Sequence, residues 1–244
     1  MFLFALFFSC SSEPVSKEKS EEQPVEKSNL PGYQVEPIVL QLQKEGLQSQ
    51  KGMSLLVELC DDIGNRIAGS ARYDEAALWG VQTMRDIGLA DVNQQPIRVN
   101  YWKRGAESLR LIKPRKEKLG VLGLGMSIGT PPQGIEAEAV VLSNFDELES
   151  TDVQNKIVVY NAPFVSYGKT VKYRTQGPTK AAEKGALAAL VRSISPTSLH
   201  TPHTGATRYE GENKIPAAAI TIEDAERFAR YQKRGKPIRL SLYL

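Results

Sequence analysis

The chain has 244 residues, 41% of them hydrophobic and 24% charged, and 31 Lys and Arg against 28 acids give a net charge of +3. That balance excludes a wholly disordered or fibrous chain, and without a dominant basic block it offers no footprint for a nucleic acid. Two cysteines, Cys10 and Cys60, exclude a disulfide scaffold or a thiolate metal cluster. No apolar run in the sequence reaches the ~20 residues that cross a bilayer as a helix.

Residues 1–8 read Met-Phe-Leu-Phe-Ala-Leu-Phe-Phe, like the apolar core of a secretory signal, and Ser9-Cys10 follow as in a bacterial lipoprotein signal. Phe7 stands where such signals favour Leu and no charged segment precedes the apolar core, so Met1 need not be the true start. From residue 11 the composition turns to Ser, Glu, Lys, Gln and Pro, which cannot bury enough apolar area to offset the entropy of ordering. Residues 11–36 therefore read as a disordered tether, and Cys10 as a lipidation site whose plain alternative is a chance Cys in an undocked terminus.

Helical spacing recurs over 37–45, with Ile38 and Leu42 on one face, and over 53–63, with Leu56, Leu59, Cys60 and Ile63. Cys60 on that stripe is expected to be a small buried hydrophobe. A Gly-bearing loop, Ile63 to Ser70, leads into a helix over 71–87 that should bury Ala76, Ala77, Val81, Met84 and Ile87 before Gly88 stops it. Residues 92–102 alternate at Ile97, Val99 and Tyr101 and predict a strand, with another over 108–112.

After Lys113 a second unit begins, with Pro, Lys and Gly punctuation and then strands over 137–142 and 156–160. A short helix over 179–184, opened by Pro178 and closed by Gly185, precedes an apolar strand over 186–191, which together with the strand before it makes a parallel crossover unit. Another buried strand spans 216–222, Glu223 and Asp224 open a helix to about Arg230, and 237–244 predicts a last strand. The chain stops inside that apolar run, and both ends read as cut.

Several motifs fail on their contexts. Gly125-Met126-Ser127-Ile128-Gly129 matches G-x-S-x-G, but Thr130-Pro131-Pro132 follow where a nucleophile elbow needs a helix. Gly168-Lys169-Thr170 ends like a phosphate loop, yet Pro163 replaces its first glycine, and Gly123-x-Gly125 lacks the third glycine of a dinucleotide fingerprint. Ser166-x-x-Lys169 has none of the partner motifs of a serine acylase. His200 and His203 invite a zinc reading, but Pro196 and Pro202 forbid a regular helix there and no third ligand is singled out.

Taken together, Gly64-Asn65-Arg66-Ile67-Ala68-Gly69-Ser70, Tyr101-Trp102-Lys103-Arg104-Gly105, the segment from Leu122 to Pro131, Lys156-Ile157-Val158-Val159-Tyr160-Asn161, Thr201-Pro202-His203-Thr204-Gly205 and the run from Ile215 to Ala225 give a pattern. The chain resembles the carboxypeptidase Q (plasma glutamate carboxypeptidase) family of di-zinc exopeptidases, over about 37–244. The resemblance implies an α/β fold, the N-terminal portion of a zinc-exopeptidase domain interrupted by an inserted protease-associated domain of mixed strands and short helices. It divides the chain into a signal segment 1–10, a tether 11–36, peptidase-domain helices and strands 37–112, the inserted domain 113–234 and a final strand 235–244 returning toward the catalytic part. The family's two zinc ions, its ligands and its general base fall downstream of Leu244, so no catalytic or metal residue is carried over, and this chain alone is expected to be inactive. His203, Arg66 and Arg104 are candidates for shaping a substrate entrance, the two arginines having a structural brace as their plainer role. The implied partner is a small peptide, with a membrane reached only through a lipid anchor, no nucleic acid, and a homodimer left open. The implied location is the bacterial envelope or outside the cell. A rival reading is a non-catalytic protease-associated lipoprotein that binds peptides or a protein; truncation should instead leave Leu240, Leu242 and Leu244 exposed.

Overall fold

A computed structural model of the chain describes residues 36–244. The signal-like segment, Cys10 and nearly all of the expected tether lie outside the described residues. The chain divides into two compact units, Met1–Gly64 and Asn65–Leu244.

In the first unit α1 spans Pro37–Gln48, with proline in its first turn where a missing N–H costs nothing. Helix α2 spans Lys51–Glu58 and widens into a π-helical turn at Leu59–Ile63, which the Gly64 amide closes by donating to Leu59 O at 3.2 Å. The apolar stripes of both helices are exposed, Ile38, Leu42 and Leu56 among them, while Ile63 is buried. Cys60, expected inside, is exposed as well: it lies on the open side of its helix, away from buried Ile63.

The second unit opens with α3, Ala71–Asp86, whose cap Ser70 accepts from the Tyr73 amide at 3.2 Å. Gly88 follows at φ +88°, the left-handed stop that glycine adopts without strain. Two expectations fail here. No α3 residue is buried: Ala76, Ala77 and Val81 are half-buried, and Met84 and, just past the helix, Ile87 are exposed. Residues 92–102 form no strand, and Ile97, Val99 and Tyr101 are exposed. Alternation favours a strand only where the backbone pairs with a neighbour, and residues 92–102 join no strand of the sheet.

The rest is one eight-stranded mixed sheet. Its strands are β1 (Ser108–Lys113), β2 (Glu117–Leu119), β3 (Val121–Gly123), β4 (Ile135–Leu142), β5 (Ile157–Tyr160), β6 (Ala188–Arg192), β7 (Ala217–Ile220) and β8 (Arg239–Tyr243), in spatial order β2-β1-β8-β4-β5-β6-β7-β3. Strands β4 to β7 run parallel, and β5, β6 and β7 are near-continuous apolar runs because both faces are covered. Helix α8 (Ile222–Lys233) sends Phe228 and Ala225 into one core, with Leu109, Ile220 and Leu240. On the other side α4 (Phe145–Ser150) and α7 (Gly177–Glu183) supply Leu148 and Ala181 to a second core, with Leu142, Val158 and Tyr160. The short helices α5 (Tyr167–Thr170) and α6 (Lys172–Thr175) complete the crossover from β5 to β6.

Three details fix this sheet. Strands β2 and β3 lie at opposite ends of the strand order but are separated in sequence by Gly120 alone. The two edges therefore approach within about 7 Å at that corner, and the sheet curls on itself. Where β8 parts from β4, Gln232 takes its place: its Nε2 donates to Val141 O at 2.8 Å and its Oε1 accepts from Val141 N at 2.7 Å, as a neighbouring strand would. Finally β8 sits between β1 and β4, so Leu240 and Leu242 are fully buried and Leu244 packs against the same core. The exposed leucine patch expected of a truncated end is absent, because the last strand fills an interior slot of its own sheet. The sheet also takes in β1 and β8, which flank residues 117–234.

Candidate functional site

Of the candidate residues picked out from the sequence, Arg104 is brought to Gly123, at the outer edge of β3. The Gly123 amide donates to Glu107 Oε2 at 2.7 Å, and its carbonyl accepts from Arg104 Nη2 at 2.8 Å and from Thr204 Oγ1 at 3.2 Å. Arg104 and Glu107 also pair at 3.5 Å. The segment before β1 is thus pinned to an edge strand by side chains that imitate a neighbouring backbone, which also keeps that edge from pairing elsewhere. A small cleft here is lined by Trp102, Arg104, Glu107, Ser127, Ile128 and Leu244. Arg104 acts as a brace in this arrangement, and its guanidinium lies 5.3 Å from the Trp102 ring centre. Arg66, half-buried, lies in the loop leading into α3.

Ser127 is tied down on every side. Its Oγ donates to Ile128 O and accepts from Ala217 N, both at 2.8 Å, and its carbonyl accepts from Trp102 Nε1 at 2.9 Å. Residues 128–134 form no helix, so nothing presents this hydroxyl as a nucleophile. Ser166 caps α5 by accepting from Lys169 N at 3.4 Å, and Thr170 Oγ1 accepts from Val165 N at 3.1 Å, so neither the S-x-x-K nor the G-K-T run shapes a catalytic or phosphate loop.

Between β6 and β7 the chain makes one long excursion over residues 193–216 without a regular element, a length that in compact folds usually carries function. It leaves from the carboxyl end of a parallel strand, the side on which open α/β sheets bind ligands. His203 N donates to Ser193 Oγ at 2.7 Å, and His200, at φ +57°, donates its amide to Glu223 Oε1 at 3.0 Å. Ser198 Oγ donates to the other oxygen of Glu223 at 2.6 Å. Between these two anchors Leu199 stands 91% exposed. Both imidazoles are exposed, and among the described residues no three His, Cys, Asp or Glu side chains converge to hold a metal ion.

The loop's hold on α8 through Glu223 is expected to depend on pH. The Ser198 hydroxyl first, and then backbone amides and His200, keep the Glu223 carboxyl below the usual glutamate range. A depressed pKa in the fold means that this contribution is present at neutral pH and is lost as pH falls through the folded-state value. The protection of the His200 amide, the slowing of its exchange relative to an unstructured peptide at the same pH, should therefore fall on acidification and should be low at all pH values in Glu223→Ala. Slow exchange of that amide in the variant at neutral pH would contradict the assignment.

Sequence reasoning missed two functional-looking residues, Arg174 and Tyr167. Arg174 is buried beneath the long loop and its Nη2 donates to the Tyr167 hydroxyl. No short-range pattern marks a buried arginine, since Arg is an outside residue in nearly every setting.

With this geometry in place, comparison with known proteins is informative. No protein-family model matches the chain. A peptidase M28 precursor from Shewanella amazonensis superposes with a TM-score of 0.78 at 32% identity, covering 84% of this chain and 49% of that one. A zinc aminopeptidase from Bacillus subtilis shares the fold at TM-score 0.54 and 23% identity, over 78% of this chain and 42% of that one. The fold thus belongs to the class of M28 peptidases. Within that class the chain belongs to the carboxypeptidase Q family: it is 42% identical to human carboxypeptidase Q over 207 residues, 84% of this chain and 44% of the relative. It is 39% identical to the Xenopus laevis protein over 244 residues, 98% of this chain and 52% of that relative. The chain spans about half the length of the curated relatives it matches.

Proposed function

We propose that this chain is the N-terminal part of an exported, zinc-dependent peptidase acting on small peptides, anchored through a lipidated Cys10, and that its sheet unit is an inserted protease-associated domain beside the catalytic part. The observation that carries this reading is the coverage: the match runs along most of the chain and takes in only about half of each relative. Two structural facts support it. Ser108 and Tyr243 are register partners on adjacent antiparallel strands, so the unit begins and leaves at one place, as an insertion into a host domain must. The apolar faces of α1, α2 and α3 lie open, as elements awaiting a larger core would. The two zinc ions would be held by residues beyond Leu244.

One feature favours a binding module instead, namely the closed sheet in which β8 is already buried. Reading the gene beyond the Leu244 codon and purifying whatever protein it encodes separates the two. The peptidase reading expects an open frame with further His and acidic residues, and a product that cleaves dipeptides, loses that activity to a chelator and regains it with zinc. A stop codon at that point, with peptide binding and no cleavage, would establish the module.

A further inference from the structure

Arg174 is only 6% exposed, yet its Nε and Nη1 are fully buried without a hydrogen-bond partner. Its side chain makes one hydrogen bond among the described residues, from Nη2 to the Tyr167 hydroxyl at 2.6 Å, and no ion pair. A buried guanidinium with idle donors is costly to keep, and folds that retain one ordinarily supply an anion.

Two neighbours of this guanidinium differ in how firmly they are held. One is Gly205, so close that a Cβ there would fall 2.6 Å from Arg174 Nη1. That backbone is fixed: Gly125 N donates to Gly205 O at 2.8 Å, Thr207 N to Gly125 O at 2.9 Å, and Arg208 N to Thr175 O at 3.0 Å. The other is the Tyr167 ring, its centre 5.5 Å from Cζ. Tyr167 is 53% exposed and stands at the first position of α5, so its side chain can turn into solvent without unpacking either core. Exposed Val165 precedes it closely in sequence, and Met126, exposed and at φ +68°, directly follows Gly125. Non-glycine residues in that backbone region are concentrated at ligand sites.

We infer that Arg174 is a carboxylate-binding group with Gly205 as its fixed wall and Tyr167 as its movable cover, taking a carboxylate that bears an apolar substituent, such as the C-terminal residue of a peptide. The planar fork of a guanidinium matches the two oxygens of a carboxylate. In the free protein the phenol oxygen of Tyr167 occupies the place of one of them. The inference stands on this geometry and does not require the chain, or any longer protein, to cleave peptides, so a failed activity assay leaves it intact.

The test is a titration of the 15N-labelled chain with N-acetyl-leucine and with N-acetyl-leucinamide, which differ only in the carboxylate. The expected result is a saturable shift of the Arg174 Nε–H and Gly205 amide signals with the acid and none with the amide. Arg174→Gln should weaken the acid by about tenfold or more, the value of a lost charge-assisted hydrogen bond. Tyr167→Phe should bind it severalfold more tightly, because Nη2 is released. Equal responses to acid and amide, or sulfate competing as well as the carboxylate, would overturn the inference. So would undiminished binding by an Arg174→Gln chain that melts like the parent. Should that variant not fold, Tyr167→Phe decides, since unchanged affinity there also overturns it.

Discussion

Phe228→Ala is expected to lower the stability of the sheet unit by about 4 kcal/mol, the usual cost of emptying a buried phenylalanine site. Phe228 is fully buried on the inner face of α8 and packs in the core that holds β1, β7 and β8. The helix is held at both ends, by following directly on β7 at Thr221 and by Gln232 on β4, so it cannot slide inward to fill the hole. Close packing then turns the missing ring into lost contacts rather than a local collapse. Against a total of about 5–15 kcal/mol for an ordinary domain, such a loss leaves little margin. Urea unfolding measures it, with Phe228→Leu as the companion expected to cost less than about 2 kcal/mol because most of the volume is kept. Equal losses in the two variants would show that α8 is held by its ends and not by its packing.

Gly134→Ala is expected to cost about 3 kcal/mol, from two sources that can be separated. Gly134 closes the turn before β4 at φ +75°, with its amide donating to Pro131 O at 2.8 Å. A Cβ there would fall 2.8 Å from the backbone oxygen of Leu242, and neither partner can swing away, because the adjoining Ile135 and Leu242 are paired in the β4–β8 ladder. Gly211 is the control. It has φ +77° and nothing within 4 Å of its would-be Cβ, so Gly211→Ala should carry only the left-handed strain, about 1 kcal/mol. The difference between the two melting shifts isolates the steric contact with β8. If both alanines cost the same, β4 and β8 are further apart at that corner than described.

What the sequence made legible follows from how local each signal is. Strands β5, β6 and β7 are apolar runs bounded by turn residues, and α8 carries its acids in the first turn and its basic residues in the last, so each can be read within a dozen residues. Helix α4 was readable too and was passed over. Asn144 accepts from Glu147 N at 2.8 Å while Glu147 reaches back to Ser143 N at 2.6 Å, a reciprocal cap of the kind that an Asn followed three residues later by Glu announces. Strands β2 and β3, three residues each, are too short for any periodicity, and the pairing of β1 with β8 joins residues more than a hundred positions apart. The failure at 92–102 has a different origin, since its alternation is real but a strand also needs an edge to pair with. At the candidate site the loop residues His200 and His203 stood out by type alone, whereas the contacts that organise it, Arg104 on Gly123 and Arg174 on Gly205, bring together residues remote in sequence.

The central place of β8 also bears on how this protein is made. Strand β1 leaves the ribosome early, and the strand that separates it from β4 is complete only at Tyr243. At about 5–20 residues per second, the gap is on the order of ten seconds, during which β1 and β4 each present an unpaired edge and an apolar face. The nascent chain therefore holds adhesive edges open for nearly the whole of the sheet's synthesis, until the last strand arrives to close the gap.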